Sequence, residues 1–329
     1  MGAIALDCQS SPIRVLDTRK DLLDVADLIE LCFQDTLDRE GFDYLRHIRR
    51  AARDARYLQW VPGALETVSM PLYGYVWEEN GKVVGNLSLI PFRRGRNWFY
   101  MIANVAVHPS FRRRGIARQL TIRALEHIRD HGASAAWLQV RTDNEPAVRL
   151  YTSLGFIERA CRINWVGENF LPLDFKPPAG WQIQSRLKDQ WLRQAGWLKK
   201  VYPPEITWNI PLNLKQFQPG FWLDVMRWMN GSRIIHWSAC HDGEVAGLIS
   251  YESTSSYHDT LWFAVSENLP EDVLRSLLVF PLRHAEKRRK GVTMNLPANF
   301  YPHLLDEMNF ERKQTLSWME IRYPPRFNL

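Results

Sequence analysis

Apolar and polar positions along this chain fall into one order of elements that occurs twice. Ile13–Leu16 reads as a short strand. From Asp21 to Phe33 the apolar residues Leu22, Val25, Ala26, Leu28, Ile29 and Phe33 recur at helical spacing. Phe42–Leu58 is a second, arginine-rich helix. Tyr73–Trp77 and Val83–Pro91 are predicted strands around the turn Glu79-Asn80-Gly81-Lys82, which makes a hairpin. A polar loop over Arg93–Asn97 leads into a long apolar strand, Trp98–Val107. After the basic loop Arg112–Gly115, Ile116, Leu120, Ala124 and Ile128 share one face of a helix that Gly132 ends. Ala135–Arg141 is a strand, Pro146–Leu154 a short helix with proline in its first turn, and Phe156–Trp165 a strand.

The second half repeats the plan. Trp181–Arg186, Asp189–Val201, the hairpin Ile234–Ala239 with Val245–Tyr251, Thr260–Val265, Asp272–Lys290, Val292–Leu296 and Pro302–Met308 follow in the same order. Gly81-Lys82-Val83-Val84-Gly85 is matched by Gly243-Glu244-Val245-Ala246-Gly247, and Gly155-Phe156 by Asn309-Phe310. The fold class is α/β with a mixed sheet, built as two copies of one unit of about 165 residues. The expected domains are 1–166 and 181–329, joined by a proline-rich linker over 167–180.

Composition narrows the function. The 329 residues carry a formal net charge of +6, and 46% are apolar, which excludes wholesale disorder. Residues 1–166 hold 23 basic and 19 acidic side chains, leaving 19 and 17 for the rest, so neither half is a basic arm. Nucleic acid is therefore not an expected partner. The four cysteines form no C-x-x-C pair, and no H-E-x-x-H is present, so no metal site is expected; His127 and His131 read as solvent-facing. No apolar run approaches the roughly 20 residues of a membrane span, and the expected location is the cytoplasm.

The chemistry concentrates in Ile102–Arg118. An apolar strand runs into a basic loop containing a glycine, and the loop opens a helix. Helix N-termini offer free N–H groups and the positive end of the dipole, so a loop of this kind wraps a pyrophosphate. The G-x-x-x-x-G-K-[ST] and G-x-G-x-x-G loops are absent.

Arg112-x-x-Gly115-x-Ala117 resembles the [QR]-x-x-G-x-[GA] signature of the GCN5-related N-acetyltransferases. Val105-x-Val107-x-Pro109 before it and Asn144-x-x-Ala147-x-x-Leu150-Tyr151-x-x-x-Gly155-Phe156 after it lie at the family's spacing. Locally the text is most similar to ribosomal-protein alanine N-acetyltransferases, and the tandem plan resembles mycothiol synthase.

The resemblance implies two tandem domains of that fold, acetyl-CoA or another acyl-CoA as co-substrate, and direct transfer to an amine in a ternary complex. The acceptor is a small-molecule amine or a protein N-terminus. Backbone groups of Val105, Ala106 and Val107 would hold the pantetheine arm and polarise the thioester. Arg112, Arg113, Arg114, Gly115, Ile116, Ala117 and Arg118 would form the pyrophosphate cradle, and Asn144 would bind the pantetheine region. Tyr151 would protonate the leaving thiolate. Where family members carry a general base, this chain has Gln139, Ala103 and Asn104, none of which takes a proton. That departure motivates the alternative, a non-catalytic acyl-CoA-binding or regulatory protein. No cysteine is expected beside the cradle, so no covalent intermediate is expected. The second copy reads Glu267–Val273 where the cradle belongs, without glycine and with acids, and Leu305 where Tyr151 belongs. It is expected to be degenerate.

Overall fold

The computed structural model describes residues 11–54, 73–170, 174–210, 212–220 and 233–324. Two compact units emerge, Met1–Arg159 with Ser317–Leu329, and Ala160–Leu316.

In the first unit the strands are β1 (Ile13–Val15), β2 (Gly74–Glu79), β3 (Lys82–Arg94), β4 (Asn97–Val107), β5 (Ala135–Arg141) and the C-terminal part of β12 (Glu311–Arg322), in that order across the sheet. β1 to β4 pair antiparallel, and β4 and β5 pair parallel. Side chains of β2 alternate between faces, and each face is covered. Tyr75 and Trp77 join the core under helix α3 (Ile116–Asp130), with Ile116, Leu120, Ala124 and Ile128. Val76 joins the core under α1 (Leu22–Phe33) and α2 (Arg39–Arg53), with Leu22, Val25, Ile29, Leu45 and Ile48. Each such aliphatic side chain stabilises the fold by about 1.5–3 kcal/mol through burial. The expected C-terminal turns of α2 at 55–58 lie outside the described residues.

The loop expected at Arg93–Asn97 is only the turn at Gly95-Arg96, because β3 and β4 continue toward it. Cross-strand pairs account for the extension. Phe92 stacks on Phe99 at 5.5 Å, and the guanidinium of Arg93 lies 5.8 Å from the Trp98 ring.

The second unit orders its strands β6 (Ile157–Gly167, from residue 160), β11 (Gly291–Pro297), β10 (His258–Val265), β9 (Glu244–Glu252), β8 (Ile234–His241) and β7 (Trp181–Ser185). Its helices are α5 (Trp191–Val201), α6 (Glu271–Arg288) and α7 (Pro302–Glu307). The segment expected as a linker falls inside this unit, with 171–173 outside the described residues. The strand β12, past the last element read from sequence, returns the chain to the first unit.

The duplication is visible in the backbone. Asn80-Gly81 and Asp242-Gly243 both turn their hairpins with two left-handed residues, as the right-handed twist of paired strands requires. A Cβ on Gly85 would lie 2.9 Å from Ile116 Cγ2, and one on Gly247 2.9 Å from Leu269 Cδ2, so both glycines let the next layer close on the sheet. Gly155 and Asn309 share positive φ, and the N–H groups of Phe156 and Phe310 donate to Tyr151 O (3.1 Å) and Leu305 O (3.0 Å). Leu305 thus stands at the position of Tyr151.

Candidate active site

The site begins where β4 leaves its neighbour. The parallel ladder with β5 runs from Phe99–Ala135 to Ile102–Leu138. On the other edge, Ser88 pairs with Ala103 but Asn86 with Ala106, so β4 carries one extra residue. Asn104 sits in that bulge with φ +51, a left-handed conformation that asparagine tolerates better than most side chains. Its carbonyl accepts from Asn86 Nδ2 at 2.9 Å, and its own Nδ2 donates to Tyr44 OH at 2.7 Å and Ser88 Oγ at 3.3 Å. Burial pushes the Tyr44 phenol up to about 12, so it stays protonated.

Past the bulge, Ala106 and Val107 pair with β3, and a short 3₁₀ turn, Pro109–Phe111, leads to the cradle. Arg113 and Gly115 both adopt positive φ (63° and 77°), and Gly115 caps α3. The first N–H groups of α3 therefore open onto a loop of arginines. Arg112 Nε donates back to Val107 O at 3.2 Å, Arg114 pairs with Glu79 at 3.0 Å, and Arg118 Nη1 donates to Ser153 Oγ at 2.8 Å. Arg113 makes no polar contact among the described residues. Ile116 is buried and packs under the loop; Ala117 accepts from Thr121 Oγ1 at its carbonyl. Contrary to the sequence expectation, a cysteine does stand here: Cys32 Sγ donates to Val107 O at 3.3 Å. Only the fold brings α1 to that point.

Helix α4 (Glu145–Ser153) supplies the remaining residues. Asn144 is its N-cap, accepting from Ala147 N–H at 3.3 Å through Oδ1, which leaves its Nδ2 outside the cap. Tyr151 is 6% exposed and belongs to the same core cluster as Ile116, Val105 and Val107, with its ring edge-on to Phe156. Burial raises its phenol above the ordinary tyrosine range. It remains a proton donor, held within the apolar core.

His108 and Asp143, the side chains nearest the site in sequence that could accept a proton, are already engaged. His108 Nδ1 accepts from Ser110 N–H at 3.3 Å. Asp143 is bound by Arg141 at 2.9 Å, which holds its carboxyl below the usual range. Gln139 is half-buried on β5. His127 is not solvent-facing. It is half-buried, with the hydroxyls of Tyr73 and Tyr75 each 3.2 Å from Nδ1, and it stacks on His131 at 3.8 Å.

The sequence reading passed over Asn86 and Tyr44, and took Asn104 only as a position that lacks a general base. Asn86 and Ser88 are polar positions two apart in an apolar run, and Asn104 interrupts the alternation of β4. Such interruptions mark bulges, but which strand they distort depends on register.

The second unit departs at each of these points. β10 pairs with β9 without a register break from Thr260–Glu252 to Val265–Gly247. Five residues (266–270) separate β10 from α6, against eight (108–115) between β4 and α3. The second loop is thus three residues shorter, and acids Glu271 and Asp272 open its helix. The parallel ladder of β10 and β11 stops at Thr260–Thr293, and beyond it the buried Tyr202 hydroxyl accepts the N–H of Phe263 at 3.4 Å. The edge that β4 leaves open is occupied in β10 by the chain's own side chain.

These features agree with known proteins. Residues 23–156 match the acetyltransferase (GNAT) family. The ribosomal protein bS18-alanine N-acetyltransferase of Salmonella typhimurium is 42% identical over 62 residues, 19% of this chain and 42% of that protein. The mycothiol acetyltransferase of Thermomonospora curvata is 48% identical over 56 residues, 17% of this chain and 19% of that protein. The chain thus matches about two fifths or less of the length of these curated relatives. A tandem GNAT protein from the clavulanic acid biosynthesis pathway shares the fold with a TM-score of 0.51 and 18% identity, over 96% of this chain and 100% of that one. Residues 23–156 thus match the acetyltransferase (GNAT) family, and the chain shares its fold with the tandem GNAT protein.

Proposed function

We propose that the first unit transfers an acetyl group from acetyl-CoA directly to a primary amine, and that the second unit is a degenerate copy that does not take the co-substrate. The observation that carries this reading is the pairing of a bulged, diverging β4 with the arginine loop whose left-handed Gly115 starts α3. The cradle fits a pyrophosphate, because helix N–H groups and arginines meet at an exposed loop. Val105 to Val107 would hold the pantetheine arm and polarise the thioester carbonyl. The amine nitrogen attacks that carbonyl, the C–S bond breaks, and Tyr151 gives its proton to the leaving thiolate, whose conjugate acid lies near 8.5. The amine sheds its own proton to solvent. The relatives named for acetylating a ribosomal-protein alanine and for mycothiol support a protein N-terminus or a small-molecule amine as acceptor.

One observation favours a second reading, an acyl-CoA-binding protein without turnover: Gln139 and Asn104 are uncharged, and His108 and Asp143 are engaged. Thiol release from acetyl-CoA with a panel of amines separates the two. Turnover on at least one amine is expected, and its reduction on the order of a hundredfold in Tyr151→Phe. Binding without release on any amine supports the second reading. Unchanged turnover in Tyr151→Phe removes the acid assignment.

A further inference from the structure

We propose that Asn86 and Asn104 are positioning residues that hold the bulge of β4 open and so aim the main-chain N–H groups beyond it at the thioester carbonyl. The proposal rests on the function given above. In an unbroken antiparallel strand, successive N–H groups alternate between the two edges. Ala103 and Ala106 both face partners on β3 although they are three residues apart, so the alternation inverts at the bulge. The inversion decides which N–H groups face the gap where β4 and β5 part.

Asn104 is fixed in this conformation from both sides: its carbonyl by Asn86, its amide by Tyr44 and Ser88. Asn86 is fully buried, and its Oδ1 has no hydrogen-bond partner among the described residues. An unsatisfied amide deep in a sheet is costly, and its retention calls for a reason. The second unit supplies the internal control. With Gly85 set on Gly247, Ser88 corresponds to Ser250, but Asn86 corresponds to Leu248, and the facing strand β10 has no bulge. The copy without the asparagine is the copy without the inversion.

The test reads the carbonyl itself, without an acceptor. Acetyl-CoA labelled with ¹³C at the thioester carbonyl is bound to the full chain, and its stretch is recorded by isotope-edited infrared spectroscopy beside its dissociation constant. In the wild type the stretch is expected below that of the free thioester. In Asn86→Leu and Asn104→Val it should return to the free value, with binding within about threefold. Asn104→Gly accepts the left-handed conformation and should keep most of the shift, which separates bulge geometry from general damage. Circular dichroism and thermal melts report whether each variant folds. If Asn86→Leu does not, the contrast between Asn104→Val and Asn104→Gly decides. A wild-type stretch equal to the free value, or one that both disruptive variants leave in place, overturns the proposal. Failure of the wild type to bind acetyl-CoA at all overturns the function on which it rests.

Discussion

The Cys32 thiol donates to the main-chain carbonyl of Val107 at 3.3 Å, which brings helix α1 against the last residue of β4. Arg112 donates to the same oxygen from the cradle side. An adduct on Cys32 therefore lands beside the backbone that would hold the pantetheine arm.

Alkylation of Cys32 should abolish acetyl-CoA binding, and saturating acetyl-CoA should slow its alkylation at least tenfold. Cys32→Ser keeps a donor and should bind normally. Peptide mass mapping against Cys161 and the buried Cys240 checks the site. Equal labelling rates with and without acetyl-CoA would place the co-substrate elsewhere.

Gly115 and Gly85 should fail differently when replaced by alanine. At Gly115 a Cβ meets only Gln119, at 3.9 Å, so the cost is the left-handed φ of +77°, roughly 1–2 kcal/mol. That strain falls on the cradle, and acetyl-CoA affinity should drop about tenfold. At Gly85 the Cβ would crowd Ile116, Trp77 and Leu120 at 2.9–3.2 Å, costing about 1–3 kcal/mol of stability by overpacking. Denaturant melts and calorimetric titration of both variants distinguish strain from crowding.

One acetyl-CoA should bind per chain. Tyr202→Phe leaves the buried Phe263 N–H without its side-chain acceptor and should destabilise the fold by roughly 1–3 kcal/mol without altering that stoichiometry. A second equivalent of acetyl-CoA in the wild type contradicts the reading of the second unit as closed.

His127 should titrate below the ordinary histidine value of about 6.5. Burial is the main cause, reinforced by His131 and Arg123 and opposed by Asp130, and Tyr73 and Tyr75 lie against the same ring. A lowered folded pKa means that the unfolded chain takes the proton first. The contribution is complete above about 6.5 and is lost as pH falls through the folded value. His127→Gln should flatten this part of the stability profile, read from urea midpoints between pH 5 and 8.

The two copies, most strand positions and the arginine loop that opens a helix were legible in the sequence because they follow from short-range rules. Hairpins need left-handed residues, which Asn80-Gly81 and Asp242-Gly243 announce, and a phosphate loop needs glycine and arginine near a helix start. The bulge was not legible, because it depends on which β3 residue faces which β4 residue. Asn86 and Asn104 are ordinary polar residues until the register places them together. Cys32 reaches Val107 only through the packing of α1, and the slot beside β10 is closed by Tyr202, which lies 61 residues before its partner Phe263. The hairpin extension past Arg93 was hidden for a related reason: three arginines read as a loop, while two of them, Arg93 and Arg94, have the aromatic partners Trp98 and Phe99 on the next strand.

The return of β12 to the first unit governs how this protein can be made. Met319 packs in that unit's core, Glu320 pairs with Arg159 at 2.9 Å, and Tyr323 N–H donates to Ser134 O. A ribosome that has synthesised everything through Trp165 has not yet supplied these residues. The nascent first unit must wait, with β5 lacking its neighbour, until the whole second unit has emerged from the exit tunnel. Expression of residues 1–166 alone should therefore yield an aggregation-prone fragment, whereas co-expression with the remainder of the chain supplies the missing strand in trans.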